Sequence, residues 1–123
     1  MDTAKTVVAV VENDQAMLKA LGRLLRASGY MTQLYASAEL YLQRTEKMDV
    51  ACLVLDIDLG GLSGIELQQM LVGAGDAPPI VFVTSQAEDR YEAAAQRLGC
   101  LAYLRKPFDS RDLLRALDQA VHH

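Results

Sequence analysis

Four polar residues stand at the ends of apolar runs: Glu12 after "TVVAVV", Asp56 after "VACLVL", Thr84 inside "IVFVTS" and Lys106 after "LAYLR". An aspartate carboxylate can act as a nucleophile and form an aspartyl phosphate. Phosphoryl transfer otherwise needs position and neutralised charge on the phosphoryl oxygens. A lysine ammonium and a threonine hydroxyl can each take one such oxygen. Carboxylates near an amide, as in Glu12-Asn13-Asp14, offer hard oxygens to Mg²⁺, which takes one or two carboxylates plus water and phosphate oxygens. Other chemistries lack their parts. "GGLSG" has neither the spacing nor the lysine of a P-loop, and no G-x-G-x-x-G follows a strand. No G-x-S-x-G, Cys–His pair or zinc spacing occurs, and the histidines are His122 and His123, to which no function is given. Singly, each residue also has a plain role open to it. Asn13 or Asp14 can cap a helix, Asp56 can end a strand, Thr84 suits a strand and Lys106 a surface. Chemistry is favoured only where all of them meet.

The elements that must bring them together alternate in type. "TVVAVV" (6–11) is apolar throughout, as a strand buried on both faces is. Over 14–28, Met17, Leu18, Leu21, Leu24 and Leu25 form one helical stripe, and Gly29 stops it. "MTQLYA" (31–36) is a weaker strand, and Ser37 caps a helix over 38–46. "VACLVLD" (50–56) is a second apolar strand. Ser63 and Glu66 form a capping box for a helix with Leu67, Met70 and Leu71 inward, ended by Gly73 and Gly75. Pro78-Pro79 lead into "IVFVTS" (80–85). A helix over about 87–98 buries Tyr91, Ala94, Ala95 and Leu98, and "LAYLR" (101–105) is the last strand. Asp109 and Asp112 open a final helix with Leu113, Leu114, Leu117 and Val121 inward.

Five strands and five helices in strict alternation predict an α/β fold. Helical right-handed crossovers make a parallel sheet covered on both faces. The expected architecture is a flavodoxin-like, doubly wound three-layer sandwich with strand order 2-1-3-4-5. Ligands of such sheets bind beyond the carboxyl ends of the strands, where the order reverses, here between strands 1 and 3. Glu12-Asn13, Asp56, Thr84-Ser85 and Arg105-Lys106 all fall at that edge. Pro107 holds the backbone of Lys106 extended and so fixes where it points.

Composition bounds the remaining choices. A chain of 123 residues, 51% hydrophobic, is one domain, 1–123, with a real core. A net charge of −4 and scattered basic residues argue against a nucleic-acid surface. No stretch approaches the roughly 20 apolar residues of a membrane span, and "MDTAKT" has no signal-peptide core. Cys52 and Cys100 make no disulfide framework. A soluble, cytoplasmic setting without membrane or direct nucleic-acid partners is expected.

From about residue 6 to 120 the chain resembles the receiver domain of bacterial two-component response regulators. The resemblance rests on the acidic group after strand 1, Asp56 in "LVLDIDLGGLSG", Thr84 in "VFVTS" and Lys106-Pro107-Phe108 in "YLRKPF". "LGRLLRASGY" and "YASAELYL" are similar to receivers joined to helix-turn-helix output domains of the nitrogen-fixation and nitrate regulator type. The family implies that Asp56 accepts a phosphoryl group from a sensor histidine kinase or phosphotransfer protein. It implies Mg²⁺ held by Glu12, position 13, Asp56 and the backbone carbonyl of Asp58. Lys106, joined to Pro107 by a cis bond, would pair with the phosphoryl oxygens, and Thr84 would swing toward them. Tyr103 would change rotamer and reshape a face of helix 4, strand 5 and helix 5 that serves an output domain or partner protein. A homodimer through that face is also compatible. Any enzymatic activity would be self-phosphorylation and self-dephosphorylation rather than turnover.

The chain departs from the family in two places. Asn13 stands where the second acid is expected to bind metal directly, which removes a full charge, while Asp14 falls one place later and caps helix 1. The common proline after the phosphoacceptor is absent, and Gly60-Gly61 should leave that loop more flexible. Three functions remain open: a phosphoacceptor with weakened Mg²⁺ dependence, a phosphorylation-independent binding module of receiver type, and a small aspartyl-phosphate phosphatase suggested by "DID". The last lacks a cap segment and an acidic pair after Lys106.

Overall fold

The computed structural model describes residues 6–45, 49–85 and 89–122. Strands β1 (Val7–Val11), β2 (Met31–Tyr35), β3 (Val50–Leu55), β4 (Ile80–Thr84) and β5 (Ala102–Arg105) form one parallel sheet in the order β2-β1-β3-β4-β5. Helices α1 (Gln15–Ala27), α2 (Ala38–Leu42), α3 (Gly64–Gly73), α4 (Asp89–Arg97) and α5 (Ser110–Val121) are the crossovers. The expected fold and strand order are both present.

Strand side chains alternate between faces, so the sheet divides its apolar residues between two cores. Val8, Val10, Cys52, Val54, Val81 and Val83 pack with Leu18, Leu21 and Leu25 of α1 and Leu113 and Leu117 of α5. Ala9, Val11, Leu53, Leu55 and Phe82 pack on the other side with Tyr41, Leu67, Leu71 and Ala95. Fully burying one such Val, Leu or Phe side chain stabilises the fold by ~1.5–3 kcal/mol. Cys52 is a free thiol within the first core, and burial pushes its pKa up to about 12. No described helix is long and apolar enough to cross a membrane.

Several boundaries and faces differ from the sequence reading. The helix expected over 38–46 ends at Leu42, and residues 46–48 lie outside the described residues. Arg44 closes it: its guanidinium lies 3.9 Å from the Tyr41 ring centre and donates to the Tyr41 carbonyl. Met70, expected inward, is 49% exposed. The buried stripe of α3 is Gly64, Leu67, Gln68 and Leu71, a regular i, i+3, i+4, i+7 pattern whose third member is polar and therefore hidden from a hydrophobicity reading. Gln68 Nε2 donates to the Ala95 carbonyl of α4 at 3.0 Å. Residues 86–88 at the expected start of helix 4 lie outside the described residues. Of its expected core residues, Ala95 is buried, while Tyr91, Ala94 and Leu98 are half-buried. In α5, Leu114 and Val121 are half-buried and Ala116 joins Leu113 and Leu117 in the core.

Candidate functional site

Three polar residues are each the first beyond a strand, and their backbones still pair into the sheet. Glu12 N–H donates to the Tyr35 carbonyl, Asp56 N–H to the Val11 carbonyl and Lys106 N–H to the Thr84 carbonyl. Sheet register thus brings side chains from three distant segments to one edge. The Lys106 ammonium donates to Glu12 Oε1 at 2.6 Å and to Asp56 Oδ2 at 3.1 Å. The remaining carboxylate oxygens also have donors: Asp14 N–H reaches Glu12 Oε2 at 3.1 Å, and Ile57 N–H reaches Asp56 Oδ1 at 2.7 Å. Glu12 and Asp56 are buried, and the Lys106 side chain is 17% exposed.

Two carboxylates and one ammonium leave this cluster with a formal charge of −1. Burial raises the Glu12 pKa, against the Lys106 hydrogen bond and with the Asp56 charge. Burial works against the Lys106 ammonium, but Glu12 and Asp56 outweigh it and hold the lysine above its usual value. A buried like-charged pair held by one cation is a poised charge cluster: an oxyanion brought to this edge would find an ammonium already in place.

Loop geometry completes the edge. Gly64, the first residue of α3, donates its N–H to the Ile57 carbonyl at 2.8 Å. A Cβ there would overlap the Asp56 carbonyl oxygen, so glycine lets α3 seat directly on the Asp56 backbone. Ser63 and Glu66 form the expected capping box. Asn13 is exposed, with Nδ2 3.8 Å from the place a Cβ on Gly60 would take; the amide therefore lies beside the loop after Asp56. Asp58 is exposed in that loop. Thr84 is buried at the end of β4.

Tyr103 packs on Phe82 with ring centres 5.9 Å apart, and the Arg105 guanidinium lies 5.4 Å from its ring centre. Its hydroxyl is buried and has no hydrogen-bond partner among the described residues. Burial pushes this phenol up, with the Glu92, Cys100 and Asp56 charges adding to the shift and Arg105 opposing it. The Lys106-Pro107 bond is cis.

Asp14 does the capping work expected of it. Its Oδ1 accepts from Ala16 N–H at 3.0 Å and Met17 N–H at 3.2 Å, at the start of α1. Asp14→Ala is expected to lower unfolding stability by about 1 kcal/mol in urea titrations while leaving Mg²⁺ affinity unchanged. A large loss of Mg²⁺ affinity would place Asp14 in the polar edge instead.

The oxygens at this edge suit Mg²⁺ in kind: carboxylates of Glu12 and Asp56, the Asn13 amide and a backbone carbonyl in the loop. Among the described residues no group of three or more His, Cys, Asp or Glu comes together as a metal cluster. The donor set therefore fits a hard cation with one acid fewer than two adjacent acids at 12 and 13 would supply.

One contact was not legible in the sequence. Glu39 of α2 reaches the loop after Asp56, where its Oε2 accepts from Leu62 N–H at 2.8 Å. The loop expected to be loose is pinned there. Glu39 carries no local signal beyond an acid in the first turn of a capped helix.

Comparison with known proteins agrees with this geometry. The family model of the response regulator receiver domain matches residues 8–118. Nodulation protein W of Bradyrhizobium diazoefficiens is 36% identical over 119 residues, 97% of this chain and 52% of that protein. Response regulator protein TmoT of Ectopseudomonas mendocina is 30% identical over 121 residues, 98% of this chain and 55% of that protein. The chain thus spans about half the length of the curated relatives it matches. Among solved structures, a CheY-like receiver domain protein from Methanospirillum hungatei JF-1 superposes with a TM-score of 0.88 at 24% identity, covering 96% of this chain and 94% of that one.

Proposed function

Because this chain belongs to the response regulator receiver domain family of two-component signalling, we propose that Asp56 is its phosphoacceptor and that a histidine kinase or phosphotransfer protein is the donor. An Asp56 carboxylate oxygen forms the new bond to phosphorus, the phosphorus–nitrogen bond of the donor's phosphohistidine breaks, and the imidazole leaves with that electron pair. The observation that carries this reading is the Lys106 ammonium shared between Glu12 and Asp56 at the buried sheet edge. Lys106 stands ready to follow the new phosphoryl oxygens, and the Ile57 N–H already holds the other Asp56 oxygen. Glu12, Asn13, Asp56 and the Asp58 backbone carbonyl would hold Mg²⁺, which when bound neutralises charge on the phosphoryl group.

Phosphorylation adds about −1.5 to −2 charge and strong acceptor oxygens. The Thr84 hydroxyl would turn toward the new phosphoryl oxygens, and Tyr103 would gain room to reorient. Its orphaned hydroxyl supports that role, since a buried phenol without a partner loses little by moving. The responding face is α4, β5 and α5. An output domain or partner protein would read it, as part of a cytoplasmic transcription regulator of which residues 1–123 are the receiver.

Acetyl phosphate with Mg²⁺ should add one phosphoryl group, seen by intact mass spectrometry and mapped to Asp56. Failure to form an adduct with acetyl phosphate or beryllofluoride, even at high Mg²⁺, would sink this reading and favour a phosphorylation-independent binding module. Asn13→Asp restores a charge and is expected to tighten Mg²⁺ binding about tenfold, ~1.4 kcal/mol, in a calorimetric titration. Unchanged affinity would remove position 13 from the metal site.

A further inference from the structure

The loop from Ile57 to Ser63 follows Asp56 directly, and its first N–H is bonded to the Asp56 carboxylate. It has no proline, and Gly60 adopts a φ of +85° within it. Such a segment loses much backbone freedom on ordering. Besides the Ser63–Glu66 capping box where α3 begins, it is held by Ile57 N–H to Asp56 Oδ1, Gly64 N–H to the Ile57 carbonyl, and Leu62 N–H to Glu39 Oε2. The first two lie at the loop's ends. The third comes from a different helix, across 23 positions of sequence.

Glu39 is built into the loop's path. Its carboxylate occupies the space a Cβ on Gly61 would need, its Cδ lying 3.1 Å from that position. Gly61 therefore admits the Glu39 side chain rather than supplying an unusual turn conformation. An ionised carboxylate accepting from a backbone N–H is among the stronger hydrogen bonds. The Leu62 N–H in turn holds the Glu39 carboxyl below the usual carboxylate value.

We propose that Glu39 is a positioning residue: from α2 it clamps the β3–α3 loop through Leu62 N–H and so presents the Asp58 carbonyl toward the metal and phosphoryl site. This rests on the reading of Asp56 and Asp58 given above. The clamp replaces the stiffness that a proline would supply to the loop. Its benefit is preorganisation: a loop already ordered loses less freedom when the cation and phosphoryl group bind.

The test compares wild type with Glu39→Ala, Glu39→Gln, Gly61→Ala and the Glu39→Ala/Gly61→Ala double variant. Amide hydrogen exchange without Mg²⁺ reads the clamp itself. Mg²⁺ affinity, by calorimetry, reads its consequence for the site. Glu39→Ala should speed exchange at Leu62 and weaken Mg²⁺ binding on the order of tenfold. Glu39→Gln keeps an acceptor oxygen and should restore most of both. Gly61→Ala should reproduce Glu39→Ala by displacing the carboxylate, and add little in the double variant, because the two changes remove one contact.

Unchanged exchange at Leu62 in Glu39→Ala would overturn the clamp. Faster exchange with unchanged Mg²⁺ affinity would overturn the positioning role and leave a purely local contact. Absence of Mg²⁺ binding and of any adduct in wild type would overturn the phosphoacceptor reading and the positioning role with it. The exchange result tells that failure apart from failure of the clamp.

Discussion

Asp56→Asn is expected to abolish the phosphoryl adduct while leaving the protein folded. The amide cannot form the acyl phosphate, since its nitrogen is not a nucleophile of the carboxylate's kind. Its carbonyl oxygen can still accept from Ile57 N–H, the bond that Asp56 Oδ1 makes. The substitution also removes one of two buried carboxylates crowded on Lys106, so the Glu12 carboxyl should titrate lower, the Asp56 charge being one cause of its raised pKa. Intact mass after acetyl phosphate treatment checks the first point, and carboxyl NMR titration of Glu12 the second. A persisting adduct in the variant would place the phosphoacceptor elsewhere.

Lys106→Met should give the largest loss of stability among single changes at this edge. Methionine keeps an unbranched apolar stem but removes the only ammonium bonded to Glu12 and Asp56 among the described residues. Breaking a buried ion pair from one side costs ~3–5 kcal/mol, because the uncompensated charge stays behind. The pH dependence has a definite sign. A carboxyl whose folded pKa lies above its ordinary value favours the folded state at low pH and loses that contribution as pH rises through the folded pKa. Glu12 is such a group in the unmodified protein, and the Lys106 hydrogen bond is what restrains it. Without Lys106 its pKa rises further. The deficit of the variant should therefore be greatest near neutrality and shrink as pH falls toward 4.5, the ordinary value. Urea unfolding across that range measures it. Equal stability of variant and wild type at neutral pH would show that Lys106 does not neutralise the pair.

The two substitutions act on opposite sides of one charge balance. Asp56→Asn removes an excess negative charge, whereas Lys106→Met removes the ammonium that balances it. If both changed stability alike, packing rather than charge would hold this edge together.

The strands and their order were open to sequence reasoning because their causes are local. Runs such as "TVVAVV" and "VACLVL" are apolar at every position, as strands buried on both faces must be. Asp14 and the Ser63–Glu66 box could be assigned to helix starts because a cap acts within one turn. The faces of the helices were less open. Hydrophobicity alone puts Met70 inward, while Gln68 takes the buried place because its amide finds the Ala95 carbonyl of α4. A polar residue is buried when a partner waits for it, and that partner lies on another helix.

The sequence by itself determined that Glu12, Asp56, Thr84 and Lys106 would lie at one edge of a parallel sheet. Strand ends and β-α alternation are written in local pattern, and right-handed crossovers leave few ways to wind them. Only the tertiary structure decided how those groups are joined. It showed one ammonium serving both Glu12 and Asp56, Asn13 lying beside Gly60, and Glu39 clamping Leu62. These are meetings through space between residues far apart in the chain. Their energies depend on distance and burial, quantities that residue spacing along a sequence does not contain.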